Sequence, residues 1–120
     1  MTISLKFTPN EYVRLGFILQ PVADHTKWAF KTRTLQNKVE HLVICEFMQT
    51  FNFNRFDFKD LKREYRVTFK LSLGMAIYNY LINEVHFDYL MIEERIILTK
   101  LHKQLIELGI HENHIGHRGT

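Results

Sequence analysis

The sequence predicts an α+β fold that is mostly helical: a two-stranded sheet with about four helices, in a strand–helix–helix pseudo-repeat. Three observations carry this. Two short segments alternate as half-buried strands do, with Ile3, Leu5 and Phe7 opposed to Ser4 and Lys6, and Val67, Phe69 and Leu71 opposed to Thr68 and Lys70. Each is followed by a short apolar segment and then by a longer stretch with three- and four-residue steps. Only 2 Pro and 5 Gly occur in 120 residues, too few for a loop-rich fold. An all-α bundle is the alternative, because Tyr65, Phe69, Leu73, Ile77 and Leu81 also fit one continuous helix over 65–83.

The elements follow in order. After the first strand, Thr8 is an N-cap, Pro9 suits the first helical position, and Glu11 can close a capping box. A helix is expected from 9 to about 19, with Pro21 beyond its end. A second helix starts near Asp24 or at Thr34, and Leu35, Val39, Leu42, Val43, Phe47 and Phe51 mark its apolar face. Residues 51–56 read as a turn with aromatic anchors. Asp57 then caps a short helix through Phe58, Leu61 and Tyr65.

The second strand comes next, with Ser72 standing where Thr8 stood, and a helix through Ala76, Ile77, Tyr80 and Leu81. Laid together, 3–18 parallels 67–82, with Lys6 matching Lys70 and Ile18 matching Ile82. Shared grammar explains this as well as duplication does. The last helix runs from about 87 to 108, with Leu90, Ile97, Leu101, Leu105 and Leu108 inward and Glu93, Glu94, Lys100, Lys103 and Glu107 in water. Gly109 is its C′ residue. Residues 1–109 form one globular domain, and 110–120 form a flexible His-rich tail.

The chain is 46% hydrophobic and 24% charged, which fits a globular protein and excludes a disordered or collagenous one. One cysteine, Cys45, precludes an internal disulfide and suits a reducing compartment. No stretch has membrane-spanning length, and the first residues lack the pattern of a signal peptide, so no membrane partner and a cytoplasmic location are expected.

Catalytic signatures are scarce. There is no phosphate loop, nucleophile elbow or dinucleotide fingerprint, so a non-enzyme without a cofactor is expected. His41 and Cys45 are one helical turn apart, which is too few ligands for a metal site, and a packed cysteine beside a boundary histidine accounts for both. Glu93 and Glu94 diverge on a helix and cannot share a proton. Asp88, beside His86, is accounted for as a cap. His111, His114 and His117 are weak metal candidates in the tail, against a solvated tail as the plain reading.

The net charge is +3, enough to attract an acidic partner without requiring nucleic acid. Lys27, Trp28, Lys31, Arg33 and Lys38 fall in an acid-free stretch and are the nucleic-acid-binding candidates. Arg55, Lys59, Lys62 and Arg66 would form a second basic stripe on a helix. Tyr78, Tyr89 and Met91 fall off the main apolar stripes and are interface candidates. The first helices of the two halves are apolar almost all round, which suits a core or a subunit interface. The expected role is therefore a small protein–protein interaction or assembly module, a homodimer included. A nucleic-acid-binding accessory protein is the alternative.

Overall fold

A computed structural model describes residues 1–24, 35–83 and 91–109, with backbone alone for 35–37. Strand β1 (Thr2–Phe7) leads into helix α1 (Pro9–Asp24), then α2 (Leu35–Gln49). Strand β2 (Tyr65–Lys70) leads into α3 (Leu71–Asn83), then α4 (Ile92–Glu107). The strands pair antiparallel in one sheet, with Ile3 opposite Phe69, Leu5 opposite Val67 and Phe7 opposite Tyr65. Among the described residues the order is thus strand–helix–helix twice. The strand at 65–70 overturns both the all-α bundle and a single helix over 65–83.

The alternation sets which sheet face is covered. Ile3, Leu5, Phe7, Val67 and Phe69 are buried beneath the helices, while Lys6, Arg66, Thr68 and Lys70 are exposed. α1 and α3 each pack against both α2 and α4. The core joins Leu15 and Leu19 of α1, Ile44 of α2, Ile77 and Leu81 of α3, and Ile97, Leu101 and Leu105 of α4. Two strands would be marginal alone, and this one-sided helical cover stabilises them.

Local chemistry explains the helix ends. Thr8 and Glu11 form the expected capping box: the Thr8 amide donates to Glu11 Oε1 (3.0 Å) and the Glu11 amide to Thr8 Oγ1 (3.2 Å). α1 continues past residue 19 to Asp24 with Pro21 inside it. Pro21 and Phe17, whose carbonyl loses its donor to the proline, both lie on the exposed side of the helix, and the extra turn buries Val22. Leu108 caps the end of α4, and Gly109 follows at φ +81°, the C′ conformation expected of it.

Several details differ from the sequence reading. Strand β2 stops at Lys70, and Leu71 opens α3 directly, so Ser72 is not a cap. The Leu71 amide donates to the Met1 carbonyl (3.0 Å), a bond of the strand ladder made by the first residue of a helix. No helix forms over 57–65. Its aspartates build turns instead, Asp57 Oδ1 accepting from the Lys59 amide (2.8 Å) and Asp60 Oδ1 from the Lys62 amide (3.1 Å). The proposed basic stripe over Arg55, Lys59, Lys62 and Arg66 therefore does not exist as a helical face. On α2 the inward face is rotated. Ile44 and His41 are buried, and Val39 and Leu42 are exposed, because α1 and α3 meet the helix on that side.

Aromatic rings close the end of the core beside these turns. Tyr12 stacks on Phe51 (4.5 Å between centroids), and Phe56 stacks on Tyr65 (4.3 Å). A Cβ on Gly16 would lie 2.5 Å from the Phe51 ring, so glycine is what lets this cluster seat against α1. No described helix is long and apolar enough to cross a membrane.

Candidate functional site

The sheet register decides how charge is distributed on its open face. Residues 2, 4 and 6 lie directly opposite 70, 68 and 66. Lys6 therefore faces Arg66 across the strands, and Lys70 lies on the same face. Like charges directly opposite on a sheet are destabilising. Between the cations, Ser4 Oγ and Thr68 Oγ1 share a hydrogen bond of 2.9 Å. Among the described residues the face carries hydroxyls and cations and no aromatic ring.

Beside β1 the face opens into a cleft of about 350 Å³ against α4. Lys6 and Arg66 line its sheet side, and Lys103 and Gln104 its helix side. Two carboxylates reach it as well, Glu64 and Glu107. Glu64 is engaged by Lys100 Nζ (3.2 Å). Glu107 accepts from Gln104 Nε2 (3.4 Å). Lys6, Arg66, Lys70 and Lys103 have no carboxylate within ion-pair distance among the described residues.

The other cations near the core are occupied differently. Arg14 meets Glu94 (3.6 Å) and lies over Phe17. Arg55 lies over Tyr12 and Phe56, and Arg63 over Tyr65. Lys100 ties four segments together. Its ammonium donates to the Lys6 carbonyl (2.6 Å), Glu11 (2.9 Å) and Glu64 (3.2 Å), and lies over the Phe7 ring. The helical pattern of the sequence predicts Lys100 and Glu94 in water. Glu94 is in fact buried, where it accepts from the Met91 amide (3.0 Å) and pairs with Arg14.

The sequence candidates divide clearly. Tyr78 is buried and its hydroxyl shares a 2.7 Å hydrogen bond with His102 Nδ1, so it offers no surface to a partner. It belongs to the core because α3 is covered on more sides than an amphipathic helix is. Met91 is exposed at the start of α4, beside exposed Ile92. Tyr89 lies outside the described residues, as do Lys27, Trp28, Lys31, Arg33, His86, Asp88, Leu90, His111, His114 and His117. Lys38 is half-buried on α2. His41 is buried and Cys45 half-buried, its thiol directed at the Val22 carbonyl (3.8 Å). Among the described residues no three metal-ligating side chains converge. The chain matches no family model, no curated protein and no solved structure.

The sequence reading missed Lys6, Lys70 and Lys103 as site residues, and it placed Arg66 on a different stripe. Strand alternation did put Lys6 and Lys70 outward. What it lacked was the register that sets Lys6 against Arg66.

Proposed function

We propose that this chain is a non-enzymatic protein-interaction module whose basic sheet face binds an acidic segment of a partner protein. One observation carries the reading: Lys6 and Arg66 oppose each other, with Lys70 and Lys103 nearby, and none of the four has a carboxylate partner among the described residues. Such an arrangement costs folding stability through like-charge repulsion. An acidic ligand relieves that repulsion and gains complementary charge on the way in. The described residues of this face offer no aromatic platform, which favours a protein segment over single-stranded nucleic acid, whose bases need rings to stack on. Two such faces repel each other, so a homodimer would use a different surface.

The test is fluorescence anisotropy with labelled polyglutamate, and with labelled duplex DNA as the competitor class, at 20 and 300 mM NaCl. The reading expects polyglutamate to bind at low salt and to weaken steeply at high salt. Lys6→Glu with Lys70→Glu should reduce that binding at least tenfold while the circular dichroism spectrum stays unchanged. Equal binding by the folded variant contradicts the reading. Tighter binding of duplex DNA than of polyglutamate, lost in the same variant, replaces the acidic protein segment with nucleic acid.

A further inference from the structure

The ladder phase can be read from one bond. The Leu71 amide donates to the Met1 carbonyl, so the pair 1–71 is hydrogen-bonded, and pairs 3–69, 5–67 and 7–65 follow it in phase. The main-chain groups of 66, 68 and 70 then point away from β1, to the outer edge of β2. Those of 2, 4 and 6 point to the outer edge of β1. The Lys100 bond to the Lys6 carbonyl agrees with this phase.

The two edges sit in equivalent places. On α4, Lys100, Lys103, Gln104 and Glu107 flank Ser4, Leu5 and Lys6. On α2, Val43, Glu46, Phe47 and Thr50 repeat the same helical spacing and flank Thr68, Phe69 and Lys70. The pseudo-repeat of strand and helix thus extends to a pair of clefts. They differ in the groups they present: Val43 stands where Lys100 does, and Glu46, an exposed carboxylate at the helix side of the cleft, stands where Lys103 does. Lys100 closes the β1 edge by donating to its carbonyl, whereas Val43, its counterpart, has no polar atom to offer. The β2 cleft, about 320 Å³, therefore keeps open main-chain groups above an apolar wall of Val43, Phe47 and Phe69. Among the described residues no third strand meets 66 or 68 on this side, and at 70 the amide alone stays open, because the Lys70 carbonyl stands at the N-cap of α3 and accepts the first bond of that helix.

We propose that the outer edge of β2 takes an extended segment of the partner as a third strand, acidic on one face and apolar on the other. This rests on the acidic-partner reading and adds how the partner binds. Strand addition satisfies the main-chain groups of Arg66 and Thr68 and the amide of Lys70. Strand alternation then fixes side-chain chemistry. Every second residue of the incoming segment joins the outer face beside Arg66 and Lys70, where a carboxylate fits. The residues between turn toward Val43 and Phe47, where a branched apolar side chain fits. The same two cations oppose a second copy of β2, which selects against self-pairing at this edge.

The probe is a blocked octapeptide of alternating glutamate and valine, titrated into the full chain and followed by amide hydrogen exchange. The expected result is that the amides of Arg66, Thr68 and Lys70 exchange about tenfold or more slowly with peptide, while those of Val67 and Phe69, already in the ladder, change little. Two N-methylated peptides provide a second readout. Methylating the glutamate amides or the valine amides should abolish binding for one set only, because alternate amides face β2. Loss with the glutamate set means an antiparallel third strand, and loss with the valine set a parallel one. Peptide binding without this protection, or equal effects of the two methylated sets, overturns strand addition and leaves the acidic-partner reading intact. No peptide binding overturns strand addition too, and the polyglutamate titration then decides the acidic-partner reading separately.

Discussion

Replacing Arg66 with glutamine should make the protein more stable and worse at binding. The register places Arg66 directly opposite Lys6, and the ladder phase makes 6–66 a non-hydrogen-bonded pair, the type whose side chains lie closer. Two unit charges about 7 Å apart in water repel by about 0.6 kcal/mol. That agrees with the roughly 0.2–1 kcal/mol associated with cross-strand pairs. Unfolding entropy scales with chain length, so a gain of this size raises the melting temperature of a 120-residue chain by about 2–3 °C. Calorimetry at 20 mM NaCl measures it. At 1 M NaCl the screening length falls to about 3 Å and the gain should disappear. Lys6→Gln should behave the same way, and the double variant should gain less than the sum, since either change alone removes the repulsion. A loss of stability at low salt, or a gain that salt leaves untouched, would refute the electrostatic reasoning.

Other expectations follow from single contacts. Lys100→Met removes the donor shared by the Lys6 carbonyl, Glu11 and Glu64, and urea denaturation should show a loss of about 2 kcal/mol, discounted from a fully buried pair because the lysine is partly solvated. Thr8→Ala leaves the Glu11 amide without its acceptor and should cost about 1 kcal/mol in the same assay. Gly16→Ala gains about 1 kcal/mol of helix propensity but forces the stacked Phe51 ring aside, which costs about 1–3 kcal/mol, so the melting temperature should fall. Tyr78→Phe keeps the ring and loses the bond to His102, for a cost of about 1 kcal/mol with the fold unchanged.

What the sequence makes legible depends on how local the physics is. The capping box of Thr8 and Glu11 is complete within four residues, and so is the stop at Gly109. Both strands are visible because alternation needs only a few residues. Asp57 shows where local reading becomes ambiguous. An aspartate that accepts from an amide two residues on suits a turn as well as a helix start, and Phe58 and Leu61, both exposed, supply no inward face to hold a helix. The phase of α2 depends on where α1 and α3 land, so Val39 and Leu42 read as core and prove exposed. The roles of Lys100 and Arg66 are set entirely by pairing. Lys100 meets partners 94, 89 and 36 residues away, and the charge pair at 6 and 66 exists only because the strands adopt one register.

The most direct test of a basic sheet face that binds acidic protein is to map polyglutamate onto the protein by proton–nitrogen correlation spectroscopy. The account predicts that shifted amides cluster on Ser4, Lys6, Arg66, Thr68 and Lys70, with Lys103 beside them, and that the shifts revert as salt is raised. Shifts confined to residues 27–38, or spread evenly over every exposed lysine, would contradict it.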